Sequence, residues 1–246
     1  MKQDVSMNTL TEAFLNRTVK VCYRSVLNAM SNIIFPPRCA ACGSAVWHEG
    51  EWCSDCFTAE YKLRIIPGNE RDPLERVYVL SEYDKGVKNL IRHIKFNQKK
   101  EHSRGLAPFL ISFIHSLTKE EWNSIDYIIP IPVSPEKRKS RGYNQVDIIF
   151  KDWADAHGNW LDCLAKSNST KKMYALGRTE RKENIAKAFS VKEEIRLSQI
   201  LKGKKVLIVD DIHTTGATVA SAANVLKQEG VSTVWALTIA GAVGNV

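Results

Sequence analysis

This chain of 246 residues has no nucleotide P-loop, since G-x-x-x-x-G-K-[ST] occurs nowhere in it. Its phosphate chemistry, if it has any, must use another cradle. It also lacks an apolar run suited to a membrane span. Lys2, Asp4 and Glu12 interrupt the start, so no signal peptide is expected. The mostly apolar stretch from Val231 onward contains Ser232, Thr233, Thr238 and Asn245 with Gly241 and Gly244, which favours a core strand. A cytoplasmic protein without an integral membrane segment is the expectation. No internal repeat is visible, and acidic charge is in deficit: 27 Asp and Glu face 35 Lys and Arg, a net charge of +8. That balance favours an anionic partner: a phosphorylated metabolite, a nucleic acid or a membrane surface. Cysteine is sparse at six, yet four of the six fall in one pattern. Hydrophobic residues at 44% are ample for a core, in one large or two modest domains.

The most informative stretch is Val206-Leu207-Ile208-Val209-Asp210-Asp211-Ile212-His213-Thr214-Thr215-Gly216-Ala217-Thr218. Four β-prone apolar residues lead into two carboxylates, a hydroxyl- and glycine-rich turn, and then a helical pattern through Val219, Ala222, Ala223, Val225 and Leu226. Unpaired N–H groups at the helix start, with the positive end of its dipole, favour a phosphate. Gly216 lets the main chain approach the anion, and the threonine hydroxyls add donors. Asp210 and Asp211 fall at the carboxyl end of the strand, the usual ligand edge of an open α/β sheet. Carboxylates there repel a bare polyanion but accept from sugar hydroxyls, so a sugar phosphate suits the site. An ordinary strand–turn–helix with a solvated acid pair is the alternative. The stretch resembles the phosphoribosyl-pyrophosphate (PRPP) motif of type I phosphoribosyltransferases at every position that motif restricts. The resemblance implies that Asp210 and Asp211 hold the ribose 2′- and 3′-hydroxyls while Thr214, Thr215, Gly216, Ala217 and Thr218 wrap the 5′-phosphate.

Cys39-Ala-Ala-Cys42 and Cys53-Ser-Asp-Cys56 form a C-x2-C pair with ten residues between the halves. Such knuckles place four thiolates tetrahedrally around one zinc ion. Pro36, Pro37, Gly43 and Gly50 supply tight turns, and so few apolar residues intervene that metal would carry most of the local folding energy. In small finger peptides that is on the order of 10–16 kcal/mol. Four thiolates close the coordination shell, which makes the zinc structural; two disulfides or incidental thiols are the alternative. Cys22 and Cys163 are isolated and read as packed thiols.

Three stretches follow. Residues 1–34 form an amphipathic helical segment, with Leu10, Phe14, Val19, Cys22, Val26, Met30 and Ile34 at helical steps and Arg17, Lys20 and Arg24 between them. Residues 35–62 are the zinc module. Residues 63–246 alternate strands and helices: strands at 76–81, 126–131, 205–210 and 231–240, helices at 85–94, 106–117, 144–157 and 215–229. That alternation implies a mostly parallel sheet covered on both faces. Ile129-Pro130-Ile131-Pro132-Val133 ends one strand and runs into a loop with Lys137, Arg138, Lys139 and Arg141 before Gly142, Tyr143, Asn144 and Gln145. Arg141 is placed for bidentate contact with a pyrophosphate. Ser167–Arg181 reads as a mobile basic loop whose Arg178 and Arg181, with Lys182, could close over an anion.

The paired C-x2-C, the Pro-Ile-Pro strand end, Arg141-Gly142-Tyr143-Asn144-Gln145, Arg181-x-x-Asn184-x-x-x-Ala188-Phe189 and the PRPP motif, in that order, resemble the ComF family of competence-associated proteins. The resemblance spans roughly residues 36 to 240. Ile131 and Tyr143 stand where the family typically has valine and phenylalanine, and Met173 where it often has glutamine. It implies an α/β type I phosphoribosyltransferase fold with a small four-cysteine zinc module. Natural transformation, single-stranded DNA, and uptake proteins or a competence helicase are the implied context and partners.

Three function classes remain open. As a transferase, the chain would displace pyrophosphate from C1 of PRPP with a nitrogen nucleophile. Mg2+ would bridge pyrophosphate and ribose hydroxyls, and Asp210 and Asp211 would be the catalytic pair, stabilising an oxocarbenium-like transition state. No base-recognition pocket and no N-terminal cysteine nucleophile can be read. As a binding module, it offers Lys95, Lys99 and Lys100 beside Phe96, Arg138 and Arg141 beside Tyr143, and Lys171 and Lys172 beside Tyr174. Basic groups track a phosphate backbone while aromatics stack bases. Each run alone also fits a solvated face. A regulatory module that senses PRPP without turnover is a third class.

Overall fold

The computed structural model describes residues 36–166, apart from 49, 70, 71 and 98, and residues 188–242. The helical segment expected at 1–34 and the basic loop with Lys171 and Lys172 lie outside the described residues.

The cysteine-bearing turns lead into a short helix, α1 (Ser54–Glu60). Strand β1 (Arg64–Pro67) pairs antiparallel with β2 (Arg76–Glu82). Helix α2 (Lys85–Phe96), a 3₁₀ segment (Lys100–Leu106), α3 (Ala107–Ser116) and the short α4 (Lys119–Asn123) lead to β3 (Tyr127–Pro130). Then come α5 (Pro135–Arg141), α6 (Gln145–His157) and β4 (Leu164–Lys166). The chain ends with β5 (Phe189–Val191), α7 (Glu193–Ser198), β6 (Lys205–His213), α8 (Ala217–Gln228) and β7 (Thr233–Gly241). The main sheet has the order β1-β2-β7-β6-β3, parallel except for β1 at one edge. Strands β4 and β5 form a separate antiparallel pair.

Burial on both faces explains why the central strands read as continuous apolar runs rather than alternating ones. On one face Tyr78, Leu80, Leu207, Val209, Trp235 and Leu237 pack under α2, α3 and α6. On the other, Val77, Val79, Val206, Ile208, Val234 and Ala236 pack under α8 and β5. The final apolar stretch is the buried strand β7, and among the described residues no helix is long and apolar enough to cross a membrane.

The expected strands and helices from residue 76 onward are present, joined by short elements that were not expected, among them the 3₁₀ segment, α4 and α7. Strand β6 continues beyond Asp210 to His213, because β7 keeps pace with it and pairs His213 with Gly241. Residues 135–141, expected as a loop, form α5: Ser134 Oγ accepts from Lys137 N at 3.4 Å, Pro135 opens the helix, and Gly142 at φ +83 stops it. Strands β1, β4 and β5 are too short to leave a periodic signal, and their partners decide them.

The zinc module is seated on the α/β core by aromatic packing. Trp52 Nε1 donates to the Gly105 carbonyl at 2.7 Å, and its ring meets Phe109 edge-on at 5.6 Å. Phe57 meets the same ring at 5.1 Å. Two glycines permit this approach: a Cβ on Gly86 would lie 2.5 Å from the Trp52 ring, and one on Gly105 would lie 1.9 Å from the Gly50 carbonyl oxygen.

Candidate functional site

Strand β6 carries four residues with no exposed surface, Val206 to Val209, straight into Asp210 and Asp211, which are 8% and 4% exposed. Side chains alternate along a strand. Asp211 continues the series of Leu207 and Val209 toward α2, and Asp210 continues that of Val206 and Ile208 toward the opposite face. The surroundings agree. In the last turn of α2, Lys95 places Nζ 2.7 Å from Asp211 Oδ2. Asp210 Oδ1 accepts from the Asp211 amide at 2.8 Å. Burial, and then the charge of Asp211, push the Asp210 carboxyl up to about 7 against the pull of Lys95 and Lys166. Lys166, in β4, is itself lowered by burial, and its ammonium lies 5.1 Å from the Phe189 ring centre.

A Mg2+ ion, which the phosphoribosyl resemblance implies, does not fit this pair as a resident metal. A lysine already covers the buried Asp211 carboxylate, and burial disfavours charge on Asp210. Among the described residues, the group of three or more side chains close enough to hold an ion is the cysteine cluster.

Beyond the acids the chain turns into the solvent. Thr214 and Thr215 are exposed, and Gly216 takes φ +74 as the N-cap of α8. This left-handed conformation favours glycine, and a Cβ there would sit 3.0 Å from His213 Cε1. The cap offers no side-chain acceptor of its own. Thr215 Oγ1 accepts from Ala217 N at a long 3.4 Å, so the helix start still presents donors. Burial and the charge of Arg64 lower the pKa of His213, leaving it neutral at pH 7. A cleft of about 250 Å³ opens between this turn and Pro67, Gly68 and Asp72 of the β1–β2 connection.

One feature at the same sheet edge escaped sequence reasoning. Lys85, the first residue of α2 and three positions beyond the end of β2, takes φ +37, and its amide donates to Asp84 Oδ1 at 2.7 Å. A non-glycine residue held there stores strain, which concentrates at functional sites. No composition or periodicity announces a positive φ at a lysine.

Next to β6, the end of β3 positions α5 and α6. Arg141 Nη1 donates to Gln145 Oε1, and its guanidinium lies 5.7 Å from the Phe96 ring centre. Tyr143 is 9% exposed and donates its hydroxyl to the Ile94 carbonyl. Lys100 sits 4.8 Å over its ring. Tyr143 therefore ties α2 to α6 and is no stacking platform, which corrects the sequence expectation for this residue. Asn144 caps α6 by accepting from Val146 N at 3.3 Å, and donates to the Ile131 carbonyl at 3.1 Å. Arg138 lines a second cleft, of about 360 Å³, with Pro132, Val133, Lys166 and Lys192.

The basic residues thus separate. Lys99 and Lys100 are exposed, and the exposed aromatic beside them is Phe96, at 69%. Lys95 turns inward to the acid pair.

At the zinc module the ligand sulfurs of Cys39, Cys42, Cys53 and Cys56 all lie within 4.8 Å of one another. Cys42 and Cys53 are 3.8 Å apart, the edge of a tetrahedron with metal–sulfur bonds of about 2.3 Å. Ser44 donates toward Cys42 and holds its thiol down to about 6. Hydrogen bonding with Cys53 and Cys42 pushes Cys56 up to about 12. Thiols sharing protons in this way exchange them for a divalent cation. The donor set fits zinc. Cys163, by contrast, is a packed thiol pushed up to about 12 by burial.

Comparison with known proteins bears on both sites. Residues 170–242 match the phosphoribosyl transferase domain, and residues 30–63 match the double zinc ribbon domain. The "DNA utilization protein YhgH" of Shigella flexneri is 27% identical over 211 residues, covering 81% of this chain and 88% of that protein. "Competence protein F" of Haemophilus influenzae is 26% identical over 213 residues, covering 82% and 84%. "Competence protein ComFC" of Streptococcus pneumoniae is 27% identical over 150 residues, covering 60% of each chain. With its mostly parallel sheet, its acid pair running into an open helix start, and a four-cysteine cluster that fits structural zinc, the chain is similar to the ComF-type competence proteins and carries a phosphoribosyltransferase domain.

Proposed function

We propose that this protein binds PRPP, or another phosphoribosyl ligand, at the carboxyl edge of β6 and single-stranded DNA on the basic surface around α2. In this reading it acts in the cytoplasm in DNA uptake during natural transformation, with uptake proteins or a competence helicase as partners. One observation carries the ligand assignment: a buried acid pair runs directly into an exposed threonine–glycine turn at a helix start with no side-chain cap. The amides of Ala217 and Thr218 and the hydroxyls of Thr214, Thr215 and Thr218 supply donors for a 5′-phosphate. Asp210 and Asp211 supply acceptors for ribose hydroxyls. Lys85 and Arg141, on flanking elements of the same edge, complement a pyrophosphate. Mg2+ travels with the pyrophosphate as its counter-ion. The DNA assignment is supported by exposed Phe96 among Arg92, Lys99, Lys100 and Arg104, and by the relatives' names, which speak of DNA utilization and competence.

A second reading, transfer of the phosphoribosyl group to a nitrogen nucleophile, is favoured by the cleft of about 360 Å³ beside Lys166, which has room for an acceptor. In that reaction the bond from C1 to pyrophosphate breaks and a bond from nitrogen to C1 forms. Asp210, poised near neutrality, has the proton affinity to take the proton the acceptor loses.

Pyrophosphate release from Mg-PRPP, with nucleobases, ammonia, glutamine and single-stranded DNA as acceptors, separates the readings. Release abolished by Asp210→Asn with Asp211→Asn makes the protein a transferase. Calorimetric PRPP binding without release leaves a binding module. Absence of both overturns the phosphoribosyl assignment.

A further inference from the structure

We propose that the Lys95 ammonium is the resident counter-ion of Asp211 and fills the place a divalent cation would take there, so that the acid pair receives its ligand without binding metal itself. The inference rests on the phosphoribosyl reading for the ligand's identity, but the exclusion of metal stands on geometry alone. Lys95 Nζ and Asp211 Oδ2 are 2.7 Å apart, with side-chain exposures of 17% and 5%. A buried carboxylate needs a paired charge, and a lysine supplied from the same fold meets that need permanently.

The position of Lys95 is not incidental. It follows Ile94, which is fully buried and whose carbonyl accepts from the Tyr143 hydroxyl, so α2 is pinned from α6 one residue before the lysine. The next residue, Phe96, is exposed. Helix α2 therefore turns the Lys95 ammonium inward while Arg92 and Phe96 face solvent. Mg2+ would bind a carboxylate oxygen at about 2.0–2.1 Å in near-octahedral geometry. Placing it on Asp211 Oδ2 would bring two cations against one oxygen, and Lys95 would have to leave its pocket. Asp210 Oδ1 already accepts from the Asp211 amide, and its side chain alternates to the face of β6 opposite Asp211, so the two carboxylates do not converge on one ion. Lys95 is thus a specificity-determining residue. It neutralises Asp211 within the fold, so that an uncharged ribose hydroxyl is accepted where a second cation is repelled.

Mn2+ alone, followed by electron paramagnetic resonance on the full zinc-loaded chain, tests the exclusion without any nucleotide. The wild-type protein should show no Mn2+ site that Asp211→Asn removes. Lys95→Met should gain one at least tenfold tighter than any wild-type binding, and Lys95→Met with Asp211→Asn should lose it. A wild-type Mn2+ site lost in Asp211→Asn, or a folded, zinc-bearing Lys95→Met that gains none, overturns the proposal. The first of these comparisons stands even if Lys95→Met fails to fold. PRPP titrations with and without Mg2+ add the ligand. Beyond the Mg2+ dependence that the pyrophosphate itself gives the wild type, Lys95→Met should lose at least a further tenfold without Mg2+ and recover with it. A Lys95→Met protein whose Mg2+ dependence matches that of the wild type argues against Lys95. No PRPP binding at all defeats the phosphoribosyl assignment and leaves the Mn2+ result to judge Lys95.

Discussion

Asp210 and Asp211 are neighbours in sequence, yet the pleat of β6 gives them different surroundings. Asp211 has a lysine at 2.7 Å, and Asp210 has an amide and a carboxyl pushed up to about 7. A carboxyl raised in the folded state binds more protons there than in the unfolded chain, where its value is about 3.9. Stability from this group is therefore present at low pH and is lost as pH rises toward and through 7. Asp210→Asn should remove that slope, so that urea unfolding at pH 6 and pH 8 shows the variant gaining, relative to wild type, of order 1 kcal/mol more at pH 8. A parallel pH response in both proteins would mean that Asp210 is ionised throughout. Gly216 makes the second residue-scale case. At φ +74, with His213 Cε1 3.0 Å from any added Cβ, Gly216→Val should cost about 1–3 kcal/mol of strain. Phosphoribosyl binding should fall at least tenfold, measured by calorimetry, because the turn can no longer close on a phosphate. Unchanged affinity would place the phosphate elsewhere.

At the scale of elements, the junction between the zinc module and the sheet layer depends on Trp52. Its ring packs on Phe109, its indole N–H meets the Gly105 carbonyl, and Gly86 leaves room for it. Trp52→Ala should destabilise the protein by about 3–5 kcal/mol in urea unfolding while zinc stoichiometry, measured with a colorimetric chelator, stays at one. Loss of zinc in a folded Trp52→Ala protein would show instead that packing builds the metal site. The sparse apolar content of residues 36–56 suggested that metal carries this module. The structure adds an aromatic anchor that only its contact with α3 reveals. Helix α5 teaches the same lesson about local signals. Its basic run looked like a loop, but Ser134, Pro135 and Gly142 are a start, a first residue and a stop for a seven-residue helix.

For the whole molecule, the two proposed ligands meet different residues, so they should be separable. Asp210→Asn with Asp211→Asn should weaken PRPP binding at least tenfold and leave single-stranded DNA affinity within about twofold. Phe96→Ala should do the reverse, costing about 1–3 kcal/mol of DNA binding, as stacking of one base does. Fluorescence anisotropy across salt concentrations should give a slope near −0.7 per neutralised phosphate. Parallel losses of both ligands in either variant would mean one shared site.

The sequence by itself determined the fold class, the four-cysteine cluster and the threonine–glycine turn that opens α8. Those signals are local: a four-residue apolar run, cysteines two apart, a threonine–glycine turn before a helical pattern. Each is dictated by backbone geometry and by chemistry within a few residues. Tertiary structure alone decided the direction of each basic side chain. Lys95 and Lys99 look alike in sequence, yet one is half-buried against Asp211 from 116 positions further along the chain and the other is exposed. Tyr143 read as a stacking ring until Ile94 accepted its hydroxyl. Charge and aromaticity belong to the residue, but burial and partner belong to the packing of α2 and α6 against β6, which brings distant residues within a few ångströms of one another.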